Sequence, residues 1–217
     1  MKIKEFFKKY WHFILPIYFL GYMPWFNFLN TYTPTRDNIT YMHCALDDII
    51  PFCELFVIPY FLWFAYIALG YVFFMFVSRK EFVRLCIFLY TGMTVCLIIY
   101  TLFPNGQNLR INYDELGRDN ILIYFIKTLQ NSDSSYDVFP SIHCLNSIGM
   151  HIAIQKSKKI TKYRKTVVTG SFILCILIIL STVFTKQHSV LDIFGAFGLS
   201  VILYIIAYIP KYKSLKD

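Results

Sequence analysis

A chain of 217 residues in which 57% are hydrophobic, 19% aromatic and only 16% charged is too apolar for a soluble domain of this length. The net charge of +8 is gathered between apolar runs, which argues against a nucleic-acid footprint and for a topology signal. Six cysteines, at 44, 53, 86, 96, 144 and 175, show neither CxxC nor metal-like spacing. Of these, Cys44 and Cys53 share a polar loop in which they are close enough in sequence to pair.

Taken in chain order, MKIKEFFKKYW is basic and leads into an apolar segment. No alanine precedes Ala45 and no small-x-small site follows the run, so residues 12–29 are expected to remain as a first span. Further stretches near the spanning length of about 20 residues lie at 54–77, 83–103, 166–184 and 190–209. A shorter one, 140–155, is marginal alone. Lys2, Lys4, Lys8 and Lys9, the 79–84 loop, the QKSKKITKYRK loop and the tail together hold sixteen of the 21 Lys and Arg residues. These groups fall on one side only if 140–155 also crosses, so six spans with both termini cytoplasmic are expected. The fold class is thus all-α: a polytopic bundle of six transmembrane helices in a single domain, expected in the cell membrane. Three external loops follow from this topology. The second contains DNILIYFIKTLQ (119–130), apolar along one side and expected to lie as an interfacial helix.

Chemistry-bearing residues gather in those external segments. His188 and Asp192, in TKQHSVLD (185–192), stand four apart where a helix places both on one face, so the carboxylate can fix the imidazole tautomer. FPSIH (139–143) puts Pro140 in a first helical turn and Ser141 at a helix N-terminus, a natural anion site, with His143 beside it as a proton donor. PNGQNLR (104–110) carries a turn and Arg110, whose planar fork suits phosphate oxygens. An arginine, a serine at a helix N-terminus and two histidines, one backed by an aspartate, make a phosphoryl-transfer set. His151, eight residues beyond His143, is too far along a helix to share the site. His43, Asp47, Asp48 and Glu54 read as a polar loop before the second span, and Asn146, Ser147 and Thr169 as helix-packing residues.

Arg110, then Pro140-Ser141-x-His143, then His188-x-x-x-Asp192, in that order, resemble the type 2 phosphatidic acid phosphatase superfamily. The branch most alike contains the inositolphosphorylceramide and sphingomyelin synthases. The resemblance implies that His188 attacks phosphorus, Asp192 orients His188, His143 protonates the leaving group, and Ser141 and Arg110 hold phosphate oxygens. It implies a membrane lipid phosphate or isoprenoid diphosphate as substrate, with no metal and no cofactor, and hydrolysis or head-group transfer as outcome. The pattern departs from the family at Phe103, where a lysine is usual, and at Ile111, Ile142 and Thr182, where proline, glycine and arginine are usual. Lys186 and Gln107 are the expected substitutes as phosphate ligands.

Overall fold

The computed structural model describes residues 10–210. The chain is mostly helical. A 3-10 segment, Trp11–Ile17, runs into α1 (Tyr18–Tyr32), followed by the short α2 (Ala45–Ile49), α3 (Val57–Val77), α4 (Arg79–Leu102), α5 (Ile121–Ser132), α6 (Ile142–Lys156), α7 (Arg164–Phe184) and α8 (Val190–Tyr208). Two-residue strands β1 (Thr40–Tyr41) and β2 (Asn105–Gly106) pair in parallel and fasten the first long loop to the end of α4.

Among the described residues, four helical stretches are long and apolar enough to cross a membrane: Glu54–Val77, Arg79–Leu102, Arg164–Phe184 and Val190–Tyr208. Their outer faces expose Leu69 at 71%, Phe76 at 68%, Phe194 at 63% and Val201 at 63%. Contiguous apolar surface of that kind is incompatible with water and marks an integral membrane protein. Residues 12–29 differ from one regular helix: Pro16, which has no N–H to donate, sits in the 3-10 segment, and α1 begins only at Tyr18.

α6 is the hub. It packs against α3, α4, α7 and α8, and nine of its 15 residues are buried. That position explains its modest hydropathy, because a helix surrounded by protein need not satisfy lipid. Close approach needs small residues here: a Cβ on Gly149 would lie 2.5 Å from the Phe88 ring of α4, and one on Gly92 2.6 Å from Leu145. Thr169 differs from its expected packing role, since it is exposed on α7. Cys44 and Cys53 are free thiols, as are the other four cysteines.

At the end of the bundle bearing the 156–164 loop, the Glu81 carboxylate accepts from the Ser157 hydroxyl at 2.5 Å and the Lys158 N–H at 2.8 Å. Arg164 donates to the carbonyls of Gln155 and Ser157. This loop is tethered rather than merely solvated. Basic side chains Lys2, Lys4, Lys8, Lys9, Lys211, Lys213 and Lys216 lie outside the described residues.

Candidate active site

The histidine turn is built by backbone geometry. α7 ends when Lys186 adopts a left-handed conformation, φ 57°, so that the N–H groups of Gln187 and His188 both return to the Thr182 carbonyl at 2.9 and 3.0 Å. Ser189 then caps α8, its hydroxyl accepting from Leu191 N–H at 3.2 Å. Asp192 closes the capping box: one carboxylate oxygen accepts from Ser189 N–H at 2.9 Å and from His188 Nδ1 at 3.0 Å. A carboxylate at Nδ1 favours a proton on that nitrogen, with Nε2 on the other side of the ring.

A second carboxylate holds the turn from outside. Asp47 of α2 accepts from the Ser189 hydroxyl at 2.6 Å, Val190 N–H at 2.8 Å and Cys44 N–H at 2.8 Å. Burial pushes its carboxyl up, and these donors more than offset it, leaving the group below the usual carboxylate range. Cys53 N–H donates to the Phe184 carbonyl at 3.0 Å, and the Phe56 and Phe184 rings stack at 4.3 Å.

The PSIH segment joins the same frame. Ser141 N–H donates to the Asp192 carbonyl at 3.2 Å, and the Tyr100 hydroxyl donates to the Pro140 carbonyl at 2.7 Å. Asn105 accepts from the N–H groups of Val138 and Phe139 at 2.9 and 2.8 Å. His143 consequently faces His188, ring centroids 5.7 Å apart and edge to face. Tyr60 and Trp63 of α3 press on the His143 ring at 4.8 and 4.5 Å.

His188, Asp192 and His143 therefore come together as expected, while the four expected phosphate ligands fare differently. Arg110 reaches the site's edge: it donates to the carbonyls of Gln130 at 3.0 Å and Asp133 at 2.6 Å, and to the Gln187 side chain at 3.2 Å, while its Nε is buried without a partner. Ser141 is fully buried, and its hydroxyl caps α6 by accepting from Cys144 N–H at 3.4 Å. Lys186 and Gln107 correct the expectation. The Lys186 ammonium donates to the carbonyls of Asp47 at 2.7 Å and Ile50 at 2.5 Å, because the left-handed turn swings it outward. Burial lowers its pKa, with Asp47 and Asp48 acting in the opposite sense. Gln107 donates to the Lys186 carbonyl at 3.2 Å and accepts from Leu109 N–H at 2.5 Å, bracing the loop.

Asp133, at the end of α5, was not singled out by sequence. Burial pushes its carboxyl up, while His188 and Arg110 pull it down. Asp137 accepts from the Thr33 hydroxyl at 3.0 Å, and burial pushes its carboxyl up to about 6, against Thr33 and Arg36. No motif marks either one. His151 lies apart, bonded to the Ser171 hydroxyl at 3.0 Å. His43 pairs with Asp48 at 2.8 Å, and Glu54 forms a bidentate pair with Arg118 at 3.0 and 2.8 Å. Among the described residues no group of three or more His, Cys, Asp or Glu side chains converges as a metal site.

Both histidines line one end of a cavity of about 640 Å³ that runs between α1, α3, α4 and α6. Met23, Phe64 and Val72 line it and are also 46%, 50% and 47% exposed, so it opens sideways onto the apolar outer surface. Phe13–Phe76 and Phe19–Tyr71 ring contacts, at 5.4 and 6.3 Å, join the first helical segment to α3 toward the opposite end. No protein-family model matches the chain, nor does any curated protein or solved structure match it significantly.

Proposed function

We propose that the protein is an integral-membrane lipid phosphatase acting through a phosphohistidine, akin to the type 2 phosphatidic acid phosphatases. One observation carries the reading. An imidazole with a carboxylate on Nδ1 faces a second imidazole 5.7 Å away, at the end of a cavity open to the apolar surface. His188 Nε2 attacks phosphorus, the bond to the lipid oxygen breaks in line, and His143 delivers its proton to that oxygen. Water then attacks the phosphohistidine, His143 takes its proton, and the phosphate leaves with His188 restored. Asp192 holds the tautomer, and the charge of Arg110 offsets that of the phosphoryl oxygens. Lipid phosphates and isoprenoid diphosphates fit: the head meets the histidines and the chain lies in the cavity.

On this reading α1 with its 3-10 lead-in, and the protein-enclosed α6, complete six spans. Both termini are cytoplasmic and the histidines sit near the external face of the cell membrane. α5 then lies in the interface: Ile123 and Ile126 are buried inward, and Ile121 and Tyr124 are exposed at 64% and 61%. A second reading has an alcohol replacing water, as in a head-group transferase. It is favoured by the 7% exposure of His188 and the aromatic cavity wall.

Detergent-solubilised protein is expected to release phosphate from a panel of lipid monophosphates and isoprenoid diphosphates, with an acid-labile phosphoenzyme, and His188→Ala to lose both. Release that survives in His188→Ala would overturn the phosphohistidine. Product formation only with an added alcohol would select transfer.

A further inference from the structure

Three polar atoms around His143 are buried and make no hydrogen bond: the Tyr60 hydroxyl, Trp63 Nε1 and Asn146 Oδ1. All three residues line the cavity. Tyr60 is 1% exposed and Asn146 3%, and an unpaired buried polar atom is costly to keep. Their placement is specific. Tyr60 and Trp63 touch the His143 ring. Asn146 lies three residues on, on the same helix face and about 4.5 Å further along the axis, away from the helix start. Ile142, Met93 and Ile67 are among the apolar residues of the same wall.

We infer that Asn146, Tyr60 and Trp63 form a subsite for a hydroxyl group carried on the lipid close to its phosphate. This deepens the proposed function and rests on it. The set offers a donor in Trp63 Nε1, an acceptor in Asn146 Oδ1 and a hydroxyl able to do either, which is what an alcohol needs. On the proposed reading the phosphorus sits at the histidines, and Asn146 stands about 4.5 Å further along α6 than His143. A hydroxyl on the second carbon of the chain lies four bonds from phosphorus, a comparable reach. A plain isoprenoid or alkyl phosphate puts a methylene there and leaves all three atoms unpaired. The subsite therefore selects lipid phosphates with a hydroxylated backbone over unadorned chains, by roughly ten- to hundredfold.

The test pairs hexadecyl phosphate with 2-hydroxyhexadecyl phosphate, binding being read by thermal stabilisation of the solubilised protein and turnover by phosphate release. Wild type should bind the hydroxylated ligand at least tenfold more tightly, and Asn146→Leu and Tyr60→Phe should each shrink that ratio toward one. Equal affinities in wild type, or a ratio unchanged in both variants, would overturn the subsite, as would binding of neither ligand. Because binding needs no chemistry, a hydroxyl preference without phosphate release would instead count against the phosphatase reading alone. Free 1,2-hexadecanediol serves as a third ligand. If it binds in an Asn146-dependent way and the phosphate pair does not differ, the hydroxyl recognised is that of a separate alcohol, and the assignment to the phosphorylated lipid fails.

Discussion

On the proposed reading Asp133 places a carboxyl beside the phosphate site, where burial pushes it up and His188 and Arg110 pull it down. Arg110 holds the Asp133 backbone carbonyl, so Asp133→Asn keeps that anchor while removing a negative charge. KM for a lipid phosphate should fall about three- to tenfold near neutral pH. The advantage should vanish in acid, where the wild-type carboxyl is itself protonated. A KM series against pH checks this, and an unchanged or higher KM for Asp133→Asn would refute it. His188 and Asp192 were legible in the sequence because their partnership is local, four residues apart on a helix start. Asp133, Tyr60 and Trp63 were not, because each meets the histidines across a distance in sequence that no periodicity encodes. Lys186 misled for a related reason: nearness to His188 in sequence says nothing about a left-handed turn that sends its side chain to the Asp47 and Ile50 carbonyls.

Among the elements, the long apolar runs announced themselves, and α3, α4, α7 and α8 fall close to the stretches expected. Hydropathy reports on faces that meet lipid, which is why α6, enclosed on all sides by helices, stood out least. The β1–β2 pairing and the role of α2 were invisible, since both depend on loops meeting in space. α2 is a clamp rather than a solvated connection. Replacing Asp47 with asparagine removes the carboxylate that receives Ser189, Val190 and Cys44, at a cost of about 1–3 kcal/mol in stability. Its folded pKa lies below that of the unfolded chain, so its contribution is present above pH ~4 and is lost as pH falls through the folded value. Thermal unfolding of wild type and Asp47→Asn should accordingly differ most near neutrality and converge in acid. A constant difference at every pH would show that the charge is not what stabilises the turn.

At the scale of the whole molecule, the six-span reading makes opposite ends of the bundle face opposite compartments. In a background of Cys44→Ser and Cys53→Ser, cysteine introduced at the exposed positions Asp114 and Lys158 should be labelled differently. A membrane-impermeant maleimide added to intact cells should reach the first alone. Labelling at 158, or at neither position, would refute that topology.

The sideways mouth at Met23, Phe64 and Val72 also decides how this protein would experience concentration. A substrate arriving through it is dissolved in the bilayer, so occupancy follows its mole fraction among lipids and not its amount per litre. Diluting the membrane with inert phospholipid should slow turnover while the bulk quantity stays fixed. On the phosphatase reading the two products would part into different phases, the alcohol remaining in the film and the phosphate passing to water. Accumulation of each would then be governed by a separate reservoir, and a thin patch rich in substrate would run the reaction fast while its surroundings stay idle.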